Sequence, residues 1–353
     1  MSNIYIMHQY YEKNHFKALY ESEEKNGYKV KRFIILDNKA FIRKILGTVI
    51  KKKNVKEAFK IAKDRFLGIY ELRTTNNQNL IVGLAPYDQL LFKYSKIISK
   101  HHSVYFSSST IWDSSHKFER GSFDNKELFI NILKNNFKAV ACVSKETQSQ
   151  IGKYFDKSQV VGHSVDVKKY KKKQSKNKKI NFLFIGQINR RKNIPLIIEW
   201  IKENSNEFIF DFIGPIPKNN SDVYKELLEL ENHDNRVNYL GCYTKKQIMA
   251  EIGNYDFLVL PSLEEKFGIV LIEALSANVP CIVSNTFGPS EIIEDGKSGI
   301  IFDLKNSRDF SIKMTEALEM SDVRYEMMMS NAGDRASDFD VNTVFEKWTK
   351  LLK

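Results

Sequence analysis

Residues 180–214 read INFLFIGQINRRKNIPLIIEWIKENSNEFIFDFIG, and this stretch decides the fold class. It opens with a continuous apolar run, Ile180–Ile185, that stops at a glycine. A segment with helical spacing follows at Ile194–Glu203, and a second apolar run, Phe208–Ile213, stops at Gly214. Short continuous apolar runs that alternate with helices are typical of parallel strands buried on both faces of a sheet. The stretch therefore predicts a βαβ unit.

The same alternation extends along the whole chain. In the second half it predicts further strands at 237–240, 257–260 and 281–284, and further helices at 221–231, 245–252 and 268–277. In the first half it predicts strands at 3–7, 29–36, 80–82, 104–107 and 139–143. Alternating strands and helices indicate an α/β protein with doubly wound sheets. The fold class is therefore predicted to be two Rossmann-like domains that face each other across a cleft.

The chain has 353 residues, a length that suggests two domains. Lys168–Lys179 contains eight lysines among twelve residues and almost no apolar side chain, so we expect it to be an exposed linker. The predicted domains are residues 1–164 and 165–338. The last segment, 339–353, is expected to form a helix that packs back on the first domain.

The composition indicates a reducing compartment and shows a strong basic excess. Three cysteines are an odd number without metal-ligand spacing, and no apolar stretch reaches the roughly 18 residues that a membrane-spanning helix needs. We therefore expect a cytoplasmic protein. The net charge of +12 suits polyanionic partners: nucleic acid, anionic lipid or phosphorylated small molecules. An AT-rich genome, which favours lysine and asparagine, is the alternative explanation.

Part of this excess is concentrated in residues 41–73, which carry ten Lys and Arg against three acidic residues. Apolar residues recur there, at 45–50 and 59–62, as in one or two amphipathic helices. Two interpretations are open. The helices suit the anionic face of a membrane, or they are solvated helices whose apolar side lies in the core.

One short segment after a predicted strand combines an anion site with two carboxylates. Residues 261–274 read PSLEEKFGIVLIEA, in which Glu265 and Glu273 flank Gly268 at an expected helix start. Ligands of open parallel sheets bind beyond the carboxyl ends of the strands, and a helix N-terminus binds phosphate through its N–H groups. A phosphate cradle beside two carboxylates suits a nucleotide sugar. Alternatively, Glu273 points to solvent or pairs with a nearby lysine.

Two further segments follow predicted strands in the same half. Residues 186–192 read GQINRRK, a glycine turn that leads to three consecutive cations. This combination suits a diphosphate, although basic loops are common in proteins. Residues 288–291 read GPSE, where Glu291 accepts a hydrogen bond from a ligand or caps a helix. Gly214 is followed by proline and is a turn signal.

These segments, taken in order, resemble the donor-binding domain of retaining GT-B glycosyltransferases of family 4. Residues 265–273 match the family's Glu-x7-Glu signature, and residues 186–192 resemble its diphosphate loop. Residues 288–299 match the family's final glycine-containing segment, and Val165-Asp166 resembles the pair that ends its first domain. The resemblance covers about residues 139–302 and is poor before them.

The resemblance implies a first domain that binds the acceptor and a second that binds a UDP- or GDP-sugar. Lys192 would bind the donor diphosphate and Glu265 would contact the donor sugar, so these two are the expected catalytic residues. Glu273 would hold the ribose hydroxyls, and backbone groups at Gly268 and Ile269 would cradle a phosphate. The expected donor-binding set is Gly186, Arg190, Arg191, Lys192, Gly214, Glu265, Phe267, Gly268, Ile269, Val270, Glu273 and Glu291.

The chain departs from the family pattern at two places that bear on the site. The arginine of the diphosphate loop is Gln187, for which Arg190 or Arg191 would substitute. Many relatives have a histidine at the end of the strand where this chain has Ser107. Ser107 and the nearby carboxylate Asp113 are therefore the acceptor-side candidates.

We therefore predict a retaining glycosyltransferase that needs no metal ion or other cofactor and transfers a hexose from its nucleoside-diphosphate donor. The acceptor is expected to be a lipid-linked or cell-surface polysaccharide precursor, met in the cytoplasm or on the inner face of the plasma membrane. Two alternatives are open: a GT-B nucleotide-sugar epimerase or hydrolase, and a non-catalytic sugar-binding partner subunit. No nucleic-acid partner is expected, because no recognition helix or aromatic-interleaved motif accompanies the basic charge.

Overall fold

The structure, a computed structural model, describes residues 3–8, 18–19, 29–34, 55–83, 89–107, 126–167, 179–217, 221–306 and 308–352. The chain forms two compact units. The first comprises Met1–Ser164 and Val341–Lys353, and the second comprises Val165–Asp340. The expected linker Lys168–Lys179 lies, except for its last residue, outside the described residues.

Strands and helices alternate in both units. In the first unit they are β1 (Asn3–His8), β2 (Lys29–Ile34), α1 (Val55–Thr74), β3 (Asn79–Gly83), α2 (Gln89–Ile98), β4 (His102–Ser107), α3 (Lys126–Asn136), β5 (Ala139–Cys142), α4 (Lys145–Gly152) and β6 (Ser158–Val160). In the second unit they are β7 (Ile180–Ile185), α5 (Ile194–Glu203), β8 (Phe208–Ile213), α6 (Ser221–His233), β9 (Val237–Tyr239), α7 (Lys245–Glu251), β10 (Phe257–Leu260), α8 (Ile269–Ser276), β11 (Cys281–Ser284), α9 (Phe287–Ile292), β12 (Gly299–Phe302), α10 (Asp309–Leu318) and α11 (Asp322–Ala336). The last helix, α12 (Val341–Leu352), belongs to the first unit.

Each unit holds a six-stranded sheet in which the described neighbouring strands are parallel. The strand order is β2-β1-β3-β4-β5-β6 in the first unit and β12-β11-β10-β7-β8-β9 in the second. Strands β5, β10 and β11 are buried at every position, which explains why they appear in the sequence as continuous apolar runs. The predicted α/β class with two Rossmann-like sheets is confirmed.

The strand order of the second unit determines where a ligand would bind. From β7 the chain runs outward through β8 and β9, and it then returns to β10 on the other side of β7. Open α/β sheets bind ligands beyond the carboxyl ends of their strands, at the point where the strand order reverses. The carboxyl ends of β7 and β10 are therefore called the reversal point below.

Aromatic side chains hold the strands around the reversal point together. The Phe182 ring of β7 lies 5.6 Å from that of Phe210 on β8 and 6.0 Å from that of Phe257 on β10. Trp200 of α5 packs edge-on against Phe182 at 5.8 Å and stacks on Phe208 at 4.9 Å. All of these rings are buried, so β7 is fixed on both sides by apolar contacts.

In the first unit, helix α12 packs against strands β4 and β5. Its Trp348 is fully buried, and the ring lies 5.6 Å from the ring of Phe106 on β4. Val344 and Phe345, on the same side of the helix, are also buried. The amphipathic pattern of α12 thus covers one face of the sheet.

Gly214, which follows β8, provides a test of how closely the backbone packs beneath the candidate site. A Cβ atom on Gly214 would lie 1.8 Å from the carbonyl oxygen of Gly186, and the residue has a φ of 147°. We expect Gly214→Ala to lower the free energy of unfolding by more than about 3 kcal/mol, because two backbone segments must separate. Urea titration followed by circular dichroism measures this change.

The matched control is Gly241→Ala. Gly241 also has a positive φ, 76°, but a Cβ atom there would meet nothing within 4 Å. This variant should cost only about 1 kcal/mol of backbone strain. Equal destabilisation by both substitutions would contradict the close approach of Gly214 to Gly186.

Candidate functional site

The loop after β7 folds into a short basic turn at the reversal point. Asn189 caps the 3-10 turn Arg190–Lys192 by accepting a hydrogen bond from the Lys192 backbone N–H at 2.9 Å. The Asn189 side chain also donates to Gln187 at 3.0 Å. Capping by asparagine satisfies N–H groups at the start of a helical turn. The turn therefore gives Lys192 a defined backbone from which to reach inward.

The Lys192 side chain crosses the reversal point and forms an ion pair with Glu265, in the loop after β10. Side-chain exposure is only 11% for Lys192 and 15% for Glu265. The two loops are also joined through the backbone, because the Leu263 N–H donates to the Arg191 carbonyl at 3.0 Å. The two residues expected to be catalytic are thus brought together, in direct contact.

Helix α8 begins beside this ion pair. Its N-cap residue, Gly268, has a φ of 88° and offers no side chain for capping, and the first helical residues are Ile269 and Val270. The first N–H groups of a helix have no intrahelical acceptor and carry partial positive charge. Phe267 is buried, and its ring lies 6.0 Å from that of Phe339, which anchors the start of the helix within the second unit.

Glu273 lies one and a half turns inside α8 and is 7% exposed. Its carboxylate forms an ion pair with Lys245 Nζ at 2.7 Å. Lys245 is the first residue of α7, whose N-terminus is fixed by a capping box between Thr244 and Gln247. As a structural residue, Glu273 was expected either to point to solvent or to pair with a lysine. The contact with Lys245 supports pairing.

Helix α9 supports the loop that carries Glu265 from behind. The Gly288 N–H donates to the Glu265 carbonyl at 3.3 Å, and a Cβ atom on Gly288 would lie 2.5 Å from the Phe267 backbone nitrogen. The guanidinium of Arg335 donates to the carbonyls of Glu291 and Ile292 at 2.7 and 2.8 Å. Glu291 is half-buried on this supported helix.

The other two cations of the basic turn lie further out. The Arg190 guanidinium binds Asp222 of α6 at 2.6 Å, and this hydrogen bond holds the pKa of Asp222 below its usual value. Arg191 donates to the Glu264 carbonyl at 3.3 Å. Both arginines are exposed, so Lys192 is the cation of the turn that is buried at the reversal point.

The acceptor-side candidates do not form a described site. Ser107 ends β4 and is buried, and its carbonyl accepts a hydrogen bond from the Val143 N–H at 3.1 Å. Asp113 lies outside the described residues. His101, which directly precedes β4, has a structural role, because Nε2 lies 2.9 Å from the Leu72 carbonyl and Nδ1 accepts from the Gln78 N–H. Burial lowers the pKa of His101.

Sequence reasoning missed two residues of this site, Lys245 and Arg335. Lys245 is the first residue of α7, 28 positions before Glu273, and Arg335 lies on α11, 44 positions after Glu291. Neither lies in a motif with a recognisable spacing. Within the described part of the chain, no three His, Cys, Asp or Glu side chains are grouped so that they could hold a metal ion.

A parallel sheet of this strand order, with a basic turn and carboxylates at its reversal point, is characteristic of nucleotide-binding α/β proteins. Residues 166–335, most of the second unit, match the family described as glycosyl transferases group 1. The Anabaena protein HepE, solved in complex with UDP, gives a TM-score of 0.73 at 17% identity over 99% of both chains. The second unit therefore matches glycosyl transferases group 1, family 4, and the chain has the GT-B fold of its structural neighbours, as the resemblance implied.

Two curated relatives are similar over part of their length. An uncharacterised glycosyltransferase of Methanocaldococcus jannaschii is 24% identical over 229 residues, which are 62% of this chain and 59% of that protein. The N,N'-diacetylbacillosaminyl-diphospho-undecaprenol alpha-1,3-N-acetylgalactosaminyltransferase of Campylobacter jejuni is 27% identical over 240 residues, 67% of this chain and 60% of that protein. The match thus spans less than two-thirds of either relative.

The contact between Lys245 and Glu273 can be tested by a double-mutant cycle. Lys245→Met and Glu273→Gln, alone and together, should show a coupling energy of about 1 kcal/mol in urea unfolding, because Glu273 is buried and charged hydrogen bonds are stronger than neutral ones. The 40% exposure of Lys245 keeps the expected value this low, since water screens the pair. Lys246→Met is the control, and a coupling energy near zero would contradict the contact.

Proposed function

We propose that the second unit binds a nucleoside-diphosphate sugar and that the protein transfers the sugar to an acceptor with retention at the anomeric carbon. The observation that carries this proposal is the buried Lys192–Glu265 pair at the reversal point, beside the N-terminus of α8. A cation and uncapped N–H groups suit a diphosphate, and a neighbouring carboxylate suits sugar hydroxyls. The donor is a UDP- or GDP-sugar, and the UDP complex of the similar Anabaena protein favours UDP.

In this function the basic turn and the N-terminus of α8 both bind the diphosphate. Lys192 donates hydrogen bonds to some of the diphosphate oxygens, and the backbone N–H groups of Gly268, Ile269 and Val270 donate to the others. Gly186 and Gly214 leave room for the main chain to approach the nucleotide closely, while Arg190 and Arg191 add positive charge at the rim. Phe267 holds the start of the helix in place.

The carboxylates orient the two sugars of the donor. Glu265 accepts hydrogen bonds from hydroxyl groups of the transferred sugar, and Glu273 accepts them from the ribose hydroxyls. Glu291, on the helix behind the Glu265 loop, lies on the side of the nucleotide or sugar. Glu265 and Glu273 each already have a lysine partner, so both side chains are positioned before the donor arrives.

The transfer step depends on stabilising the leaving diphosphate. The bond between the anomeric carbon and the diphosphate oxygen breaks, the acceptor hydroxyl forms the new bond on the same face, and its proton leaves with the diphosphate. Positive groups already in place around the leaving oxygens lower the barrier without reorganisation. Lys192 and the α8 N-terminus supply this charge, so no metal ion is required in the proposal.

The proposed acceptor is a lipid-linked or cell-surface glycan precursor, bound by the first unit. The similar Campylobacter jejuni enzyme is named for a diphospho-undecaprenol acceptor. Ser107 and Asp113 remain the acceptor-side candidates. Such acceptors place the reaction at the inner face of the plasma membrane, with the protein otherwise in the cytoplasm.

Substitutions of the two residues proposed for catalysis should have different effects on UDP binding. Lys192→Met should weaken UDP binding about tenfold and reduce kcat at least about 100-fold, because the leaving diphosphate loses its cation. Glu265→Gln should reduce kcat similarly but should not weaken UDP binding, because UDP has no transferred sugar and its diphosphate no longer competes with the Glu265 carboxylate for Lys192. Calorimetry with UDP and a coupled assay for released UDP measure both effects.

Lys246→Met, next to Lys245 on α7, is the matched control for loss of a lysine and should behave as wild type. Full turnover in either site variant would refute the assignment of catalytic residues. Donor turnover without any acceptor would instead favour the epimerase or hydrolase. Donor binding without turnover in any acceptor mixture would favour a non-catalytic sugar-binding subunit.

Metal independence has its own test. Sugar transfer should proceed at the same rate after extensive dialysis against EDTA as in Mg²⁺ or Mn²⁺, because Lys192 and α8 offset the charge of the diphosphate. The measured quantity is the initial rate of nucleoside-diphosphate release in each condition. A rate that falls with EDTA and returns with one divalent ion would contradict this part of the proposal.

A further inference from the structure

The two units differ in where their aromatic side chains are exposed. In the first unit the exposed rings lie mainly on α1, which contains the described part of the basic segment 41–73, whereas residues 41–54 lie outside the described residues. No described helix is long and apolar enough to cross a membrane. Within the described part of the second unit, Phe287 is the one aromatic side chain that is exposed, at 65%. An exposed ring contributes little to the stability of the fold, so Phe287 points to a binding role.

Phe287 lies beside the loop that carries Glu265. It is the first residue of α9 and directly precedes Gly288, whose N–H donates to the Glu265 carbonyl at 3.3 Å. A Cβ atom on Gly288 would lie only 2.7 Å from the same carbonyl oxygen. Because consecutive Cα atoms are about 3.8 Å apart, the Phe287 Cα lies within about 8 Å of that oxygen. A sugar ring held at Glu265 is therefore within reach of the Phe287 ring.

Side-chain hydroxyls fix the backbone that carries the Phe287 ring. Ser290 donates to the Thr286 carbonyl at 2.6 Å, and the Ser284 hydroxyl lies 3.1 Å from that of Thr286. Ser284 also donates to the Ser262 carbonyl at 2.6 Å, which joins this segment to the second residue after β10. A ring exposed on a fixed backbone can bind a ligand at a low cost in ordering.

The exposed side of α9 combines this ring with a carboxylate. Phe287 and Glu291 are four positions apart, so they are neighbours on one side of the helix. The buried residues of α9 lie on the other side: Gly288, Pro289 and Ile292. Ligand sites combine apolar and aromatic surface with a few polar groups, and a sugar presents both C–H groups and hydroxyls. This side of α9 therefore has the composition that a sugar requires.

We infer that the Phe287 ring stacks on the transferred sugar of the donor and determines how tightly that sugar is held. The inference rests on the proposed function and adds to it a specificity-determining residue. The sugar is uncharged, so Lys192 and the α8 N-terminus attract the diphosphate but not the sugar. The negative π face of an aromatic ring attracts the C–H groups on one face of a pyranose, and stacking removes the apolar surface of both from water.

The position of Phe287 favours the donor sugar over a sugar of the acceptor. Phe287 belongs to the second unit, and its segment is hydrogen-bonded to the loop of Glu265, which is proposed to bind hydroxyls of the transferred sugar. Hydroxyls project from the edge of a pyranose, whereas an aromatic ring covers its face. Glu265 and Phe287 therefore contact different parts of one sugar.

The test is calorimetry of the full-length protein without acceptor. The ligands are UDP and GDP, and the sugar nucleotides UDP-glucose, UDP-galactose, UDP-N-acetylglucosamine and GDP-mannose. Phe287→Ser should weaken binding of the sugar nucleotide that wild type prefers about tenfold, the factor that corresponds to one lost aromatic contact. It should leave binding of the nucleoside diphosphate unchanged, because that ligand lacks the sugar.

Phe287→Trp tests whether an aromatic face is what the site requires. This variant should retain wild-type binding of the sugar nucleotide, because it keeps a ring at the same position. Its added indole should also change its emission when the sugar nucleotide binds and not when the nucleoside diphosphate binds, after subtraction of the wild-type response.

The matched control is Phe92→Ser. Phe92, on α2 of the first unit, is 62% exposed, so this substitution removes a phenylalanine ring of nearly equal exposure. It should keep wild-type binding of every ligand. Both serine variants should keep the wild-type melting temperature, because neither ring is buried.

Three results would overturn the inference. In Phe287→Ser, binding of the sugar nucleotide could be unchanged, or it could weaken only as much as binding of the nucleoside diphosphate, as expected if the ring merely supports the loop. Wild type could also form a dimer that Phe287→Ser separates, because the ring would then be a contact between copies. Failure of the proposed function is distinguishable, since wild type would then bind none of the six ligands, and the inference would fail with it.

Discussion

The ion pair between Lys192 and Glu265 is the contact on which the candidate site depends. It joins the loop after β7 to the loop after β10, and these strands lie side by side at the reversal point. Both side chains are largely buried, so each charge has lost much of its hydration and needs the other for compensation. The pair therefore fixes the two loops to each other at the place where a Rossmann-like sheet binds its ligand.

Close backbone packing supplies the second constraint. Gly214 brings the end of β8 against Gly186, and Gly288 brings α9 against the loop of Glu265, in both cases within distances that no Cβ atom allows. Arg335 then binds the last carbonyls of α9 and holds that helix from the other side. The functional side chains therefore project from a closely packed framework of backbone contacts.

The sequence predicted the strands of the second unit well because they are buried on both faces. It did not predict β12 of this unit or β6 of the first unit, which have only four and three residues. The Glu265–Glu273 segment was recognisable because its residues are close in sequence and share one helix. Lys245 was not recognisable, because its contact with Glu273 arises only when the fold brings the start of α7, after β9, close to α8, after β10.

The two carboxylates of the candidate site share one electrostatic arrangement. Glu265 and Glu273 each come from the segment after β10, and each is paired with a lysine from elsewhere in the chain: Lys192 of the basic turn and Lys245 of α7. An entering diphosphate therefore meets cations already in place, and it exchanges one set of ion pairs for another instead of approaching bare carboxylates. The diphosphate, which carries two charges, can replace the Glu265 carboxylate as the partner of Lys192, whereas a neutral sugar cannot. In the proposed reaction, the diphosphate thus releases Glu265 from its lysine and makes that carboxylate available to the sugar at the moment of binding.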